Sequence, residues 1–197
     1  MKATGRKPLF LGERVHLRYP EPSDVSEFVA LRRASRMEQE PWEATLPPPD
    51  RGLEPWGPEA FERFLEHSNT LMSQRHLICR NDDGLLVGQV SLTTIVRSAF
   101  RSCFMGYWMG TPYTGKGYMT EAVVLCTRRA FGPLPAGLGL HRIEINIVHG
   151  NARSVGVARR SGFRLEGFSP NYLHINGNWA DHERWAATAD SWEPPSP

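Results

Sequence analysis

The residues best placed to do chemistry in this 197-residue chain are Gly110-Thr-Pro-Tyr-Thr-Gly115-Lys116-Gly117-Tyr118-Met119. Two glycines bracket a lysine where an apolar, aromatic run (Phe104, Met105, Tyr107, Trp108, Met109) gives way to residues with helical spacing (Met119, Ala122, Val123, Cys126, Ala130). This predicts a strand, a glycine turn and a helix. Glycine lets the backbone approach a ligand closely, and the first amides of a helix have no partners within it, so the turn is built to receive phosphate. The spacing Gly110-x-x-x-x-Gly115-Lys116 also opens like a P-loop, but that cradle needs Ser or Thr next to hold magnesium, and position 117 is Gly. A nucleoside triphosphatase is therefore disfavoured, and the remaining alternatives are a different phosphate ligand or a tight turn with none.

The elements around the turn follow from periodicity. Residues 1 to 12 read as a basic leader without clear structure, Val15 to Arg18 as a short strand, and Pro22 to Glu27 as a helix start with Ser23 or Asp24 as N-cap and Glu27 completing a capping box. Phe28 and Leu31 face a core. Met37 to Gly57 is proline-rich and carries Trp42 and Trp56, a long loop of the kind that serves function. Glu59 to Ser73 reads as a helix with Phe61, Phe64, Leu65, Leu71 and Met72 on its apolar side. His76 to Arg80 and Leu85 to Thr94 form a hairpin about an Asp-Gly turn, and Arg142 to Val148 is a strand with Ile143, Ile145 and Ile147 on one face and Glu144 and Asn146 on the other. Asn151 to Arg160 is a second helix, Phe163 to Gly167 begins a strand, and Tyr172 to Ile175 with Trp179 to Ala187 make a hairpin about Asn176-Gly177.

Composition narrows the class. The chain is 40% hydrophobic with a net charge of +2, enough for one core and without the clustered cations of a nucleic-acid face. Cys79, Cys103 and Cys126 are an odd number with no close pair, which argues against a disulfide framework or a zinc site, and no metal is expected. No apolar run reaches membrane length and no signal-peptide core is evident, so a cytoplasmic location is expected.

Against this background the run Met105 to Gly110 followed by Pro112 to Ala122 resembles the acetyl-coenzyme-A loop of the GNAT N-acetyltransferases, whose Gln/Arg-x-x-Gly-x-Gly/Ala pattern falls on Thr114 to Met119. Thr114 stands in place of Gln or Arg, and Met119 in place of the small last residue. Asn151-Ala-Arg-Ser154 and Ser161-Gly-Phe163 match a second signature at the right distance, and the likeness extends over roughly residues 12 to 192. It implies a single α/β domain with a mixed, largely antiparallel sheet flanked by helices on both faces. The strings Val96 to Cys103, Leu140-His-Arg142 and Tyr172 to His182 are similar to the RimJ-like branch, the ribosomal-protein-alanine N-acetyltransferases.

The resemblance implies transfer of acetyl from acetyl-CoA to a protein N-terminal α-amine, with a ribosomal protein as one possible acceptor. It implies a coenzyme site of Trp108, Met109, Thr114, Gly115, Lys116, Gly117, Tyr118, Met119, Asn151 and Ser154, and an acceptor cleft lined by the Met37 to Gly57 region. Relatives place a glutamate base where Met105 stands and a tyrosine acid where Ala158 stands, so both roles must be filled otherwise. Ser154 is the candidate acid at the coenzyme sulfur, although Asn151 and Ser154 also suit a helix cap. Relatives of the branch place an acid where Asn171 stands, which leaves Glu144 as the candidate base, with a structural ion pair as its alternative. His174, Asp181 and His182 are further candidates for the acceptor side. A small-amine or antibiotic acceptor, or a non-catalytic CoA-binding module, are the competing functions.

Overall fold

A computed structural model describes residues 7–48 and 57–193. In chain order the elements are β1 (Phe10–Leu11), β2 (Val15–Arg18), α1 (Val25–Ala34), α2 (Arg36–Gln39), α3 (Pro58–Glu66), β3 (Gln74–Arg80), β4 (Leu86–Val96), β5 (Ser102–Met109), α4 (Tyr118–Phe131), β6 (Arg142–Val148), α5 (Ala152–Arg160), β7 (Arg164–Ile175) and β8 (Asn178–Thr188). The eight strands form one sheet in the order β1-β2-β3-β4-β5-β6-β8-β7. Every neighbouring pair is antiparallel except β5 and β6. The α/β class and the mixed, largely antiparallel sheet expected from sequence are both observed.

Two cores lie on opposite faces of this sheet, as strand alternation requires. Along β3, Leu77 and Cys79 face Phe28, Phe61 and Phe64 of α1 and α3, whereas Ile78 faces the larger core that includes Met119, Ala122, Val123 and Cys126 of α4. The three cysteines are free thiols buried in these cores. A buried ion pair ties β2 to the entry of α1: Arg18 donates to both Asp24 oxygens at 2.7 and 2.8 Å.

The feature that shapes the site is a split in the sheet. Parallel pairing of β5 with β6 covers only Ser102–Phe104 against Arg142–Glu144, while β5 stays paired with β4 as far as Met109. Beyond Phe104 the β6-facing edge of β5 therefore has main-chain donors and acceptors with no strand beside them.

Several local expectations are corrected. The leader contains β1, which pairs with β2 through Phe10↔Leu17. The capping box forms three residues earlier than expected, between Glu21 and Asp24 across the 3-10 turn Pro22–Asp24. The helix expected to reach Ser73 ends at Glu66, where the Ser68 hydroxyl donates to the Leu65 carbonyl at 2.7 Å and Asn69 bridges to Gln74. Leu71 and Met72, expected on its apolar side, are therefore exposed. The strand from Phe163 and the first arm of the last hairpin are one bulged strand, β7. Trp56 and part of the proline-rich loop lie outside the described residues. No described helix is long and apolar enough to cross a membrane.

Candidate active site

The split opens into a cleft of about 1050 Å³. One wall is the glycine turn and the start of α4. Gly115 and Gly117 both sit in the left-handed region, at φ 74° and 78°, which favours glycine. The first bond within α4 runs from the Glu121 amide to the Gly117 carbonyl, so the amides of residues 118 to 120 precede it, and no side chain caps them. Arg14 steadies the turn from outside, donating to the Lys116 carbonyl at 2.9 Å and to Glu121 at 2.9 Å. A Cβ added at Gly115 would meet nothing within 4 Å, so the turn presents bare backbone to open space. This is the cradle that a pyrophosphate requires, and the open edge of β5 is what an extended chain of amides such as pantetheine can pair with. The residues present fit coenzyme A.

The opposite wall is α5. Asn151 is its N-cap, its side-chain oxygen accepting the Ser154 amide at 3.1 Å. Capping and chemistry are thus separated: Asn151 caps, and the Ser154 hydroxyl makes no hydrogen bond to any described residue. Tyr107 joins the two walls across the split, donating to the Ser154 carbonyl at 3.1 Å. Burial pushes the Tyr107 hydroxyl well up from its ordinary value, so it keeps its proton as a structural donor.

The third side comes from the end of α1 and the segment after it. Arg32 is buried over the Trp108 ring, 4.8 Å from its centroid, and bonds Gln39 at 2.6 Å and Glu43 at 2.9 Å. Gln39 in turn donates to the Met109 carbonyl at 2.9 Å, and Trp108 donates to Gln89 at 2.9 Å. Glu38 pairs with Arg153 at 2.7 Å, tying α2 to α5. The same segment reaches the last hairpin through the Ala44↔Ile175 bridge and the bond from the Thr45 amide to the His174 carbonyl at 2.9 Å.

Of the residues singled out from sequence, Trp108, Met109, Thr114, Gly115, Gly117, Tyr118, Met119, Asn151 and Ser154 line the cleft together. Met119 also reaches the core, where its bulk is buried against the sheet. Lys116 does not line the cleft; its ammonium lies 5.8 Å from the centre of the Tyr113 ring. Glu144 does not either. It is the last β6 residue paired to β5, and its carboxylate is held by Arg142 at 2.8 Å in a cluster that also contains Glu166. His174, Asp181 and His182 are likewise outside the lining. His174 is engaged with Thr45, Asp181 accepts the Asn171 amide at 2.8 Å, and His182 is buried against Tyr172. Sequence reading missed Arg32, Arg75, Gln89 and Ser91, all in the lining, whereas Glu38 and Glu43 fall within the Met37 to Gly57 region expected there. Gln89 and Ser91 had left a signal, as polar residues at alternate positions of the mainly apolar β4. Among the described residues no three His, Cys, Asp or Glu side chains come together as a metal site.

Comparison with known proteins agrees with this geometry. The chain is 42% identical over 101 residues to the probable N-acetyltransferase YjcK of Bacillus subtilis, a match covering 51% of this chain and 54% of that protein. It is 34% identical over 113 residues to the [ribosomal protein uS5]-alanine N-acetyltransferase of Escherichia coli, covering 57% of this chain and 56% of the relative. The chain thus spans about half the length of the curated relatives it matches. Its fold superposes on Mycobacterium smegmatis RimJ in complex with CoA-disulfide with a TM-score of 0.77 at 28% identity, covering 94% of this chain and 85% of the other. The model of the acetyltransferase (GNAT) domain matches residues 14–164, well over half of the chain, and with the split sheet and the glycine turn it shows that this protein belongs to the GNAT acetyltransferase family.

Proposed function

We propose that this protein is a cytoplasmic, acetyl-CoA-dependent N-acetyltransferase whose acceptor is the α-amine of a protein N-terminus, such as that of a ribosomal protein. The observation that carries the proposal is the split between β5 and β6, with a glycine phosphate cradle at one wall and the free Ser154 hydroxyl at the other.

When bound, acetyl-CoA supplies a thioester carbonyl; the amine nitrogen forms a bond to that carbon, the carbon–sulfur bond breaks, the amine loses a proton and the sulfur takes one. The chain's residues serve this exchange by position. The cradle amides and the β5 edge hold the coenzyme by backbone contacts, which do not depend on a Gln or Arg at Thr114. The Ser154 hydroxyl at the α5 wall can donate a hydrogen bond to the leaving sulfur as its negative charge develops, and the proton the sulfur finally takes comes from solvent, which receives the one the amine loses. The carboxylates among the described lining residues are Glu38 and Glu43, and both are engaged in ion pairs. A strong base is not required, because an α-amine of pKa about 7.7 to 8.0 is partly neutral near neutral pH and can lose its proton to solvent.

A small amine is the second reading. It is favoured by the Glu38–Arg153 pair, which joins α2 to α5 beside the cleft and narrows the approach of a chain. Initial rates with acetyl-CoA on peptides beginning with Ala or Ser, on blocked peptides with an internal lysine, and on aminoglycosides and polyamines decide between them. Peptide N-termini are expected to react best; faster turnover of any small amine overturns the leading reading.

A further inference from the structure

Arg75 is the half-buried charged group of the cleft lining for which the described residues supply no counter-ion. It is a residue of β3, its guanidinium against the Phe64 ring at 5.9 Å and its Nε bonded only to the Ser73 hydroxyl at 3.2 Å. Other lining arginines differ: Arg32 is matched by Glu43, Arg153 by Glu38, and Arg160 is exposed. No carboxylate of the described residues comes within ion-pair distance of Arg75. Burial without an anion is unfavourable for its charge, and desolvation holds its pKa below the ordinary arginine value.

Its surroundings are built for an anion. Arg75 pairs across the sheet with Ser91, and Ser91 with Gly106 of β5, so the three form one row on the cleft floor. The Ser91 hydroxyl accepts from Gln89 at 2.9 Å, which leaves its own proton free among the described residues. Gly106 adds no side chain, and a Cβ there would meet nothing within 4 Å, so the floor is open from β5 to the guanidinium. Two strand spacings separate Gly106 from Arg75, roughly 10 Å. An extended peptide advances about 3.3 to 3.6 Å per residue, so about three residues span that distance, and a long acidic side chain on the second or third residue of an acceptor whose amine lies over β5 extends toward Arg75.

The geometry points to Arg75, with Ser91 beside it, as a carboxylate subsite that selects acceptor N-termini carrying an acidic side chain at the second or third residue. This deepens the N-terminal acceptor reading and rests on it. Guanidinium and hydroxyl together offer donors suited to a carboxylate, and a bond of that kind strengthens where water is displaced.

The test uses the full chain with Ala-started peptides that are identical except for Glu or Gln at positions two and three. Both kcat/KM and peptide affinity in the presence of CoA, read by fluorescence anisotropy, are measured. The Glu peptide is expected to exceed its Gln isostere at least about tenfold in each readout, the size of one charge-assisted bond. In Arg75→Met, which keeps an apolar stem against Phe64, the Glu-to-Gln ratio should fall to near one. A wild-type ratio near one overturns the subsite whatever the variant does, and so does a ratio that survives in folded Arg75→Met. Small amines with and without a carboxylate form a separate arm. If these react and bind in an Arg75-dependent way while peptides do not, the subsite stands and the N-terminal acceptor reading falls. If peptides react without preference for acid, the reading stands and the subsite falls. If no carboxylate-bearing probe binds, both fall.

Discussion

Acid should destabilise this protein through one buried residue on the face of β3 opposite Arg75. His76 is 1% exposed on the α4 face of β3, between Tyr19, whose ring centroid lies 5.1 Å away, and Phe10 at 5.9 Å. Neither ring nitrogen has a hydrogen-bond partner, and the upward influence of the Val90 backbone is the smallest acting on the ring. Burial first, and the nearby Arg129 cation second, push the imidazole from its ordinary 6.5 down to about 3. The folded state therefore refuses a proton that the unfolded chain accepts. The contribution of His76 is fully present above the unfolded value and is lost as pH falls from 6.5 towards 3. From pH 7 to pH 5 the linkage relation gives a loss of about 2 kcal/mol, a large share of the stability of a domain this size. In His76→Phe the ring stack is kept and the two unpartnered nitrogens are removed. Urea unfolding at pH 7, 6 and 5 should show the wild type losing about 2 kcal/mol more than the variant over that range. Parallel pH dependence in the two proteins would refute a buried neutral imidazole at this position.

Three further outcomes are expected. Ser154→Ala should lower kcat by about a hundredfold, on the order of 3 kcal/mol, and leave CoA affinity and melting nearly unchanged, because the Ser154 amide, not its hydroxyl, takes part in the α5 cap; stopped-flow turnover and calorimetry on one preparation check this. Asn151→Ala serves as its contrast, costing about 1 kcal/mol of stability through the lost cap. Gly115→Ala should weaken CoA binding roughly tenfold, since the new Cβ projects from a backbone at φ 74° into the space left for phosphate, and titration calorimetry on the folded variant reads it. Asp24→Asn should cost about 3 to 5 kcal/mol in chemical unfolding, because it strands the buried Arg18 charge.

The legible parts of the fold were those in which local pattern and tertiary outcome coincide. Ile143, Ile145 and Ile147 announce a strand with one buried face, and Asn176-Gly177 and Asp83-Gly84 announce hairpins, because alternation and turn chemistry are properties of a few adjacent residues. The glycine turn was legible for the same reason. What escaped depends on partners distant in sequence. Two residues of β1 become a strand only because β2 lies beside them. Leu71 and Met72 continue the apolar stripe of α3 in sequence but fall beyond its end, where Ser68 and the Asn69–Gln74 bridge turn the chain. Glu144 shows its face in the alternation of β6 yet cannot show that pairing with β5 ends at that residue, so that the cleft opens just beyond it. Arg75 reads as one more strand arginine until the row Arg75, Ser91, Gly106 is assembled from three strands.

The most direct test of the central claim, direct acetyl transfer to an α-amine within this cleft, is a quenched-flow experiment with acetyl-CoA and an Ala-started peptide that also carries an internal lysine. Free CoA thiol and the position of the acetyl group are followed together, by a thiol reagent and by fragment mass spectrometry. The account predicts no thiol release without peptide and, with peptide, one acetyl on the α-nitrogen for each thiol released. A burst of thiol in the absence of acceptor, or acetyl found on the lysine side chain in preference to the α-nitrogen, would contradict it.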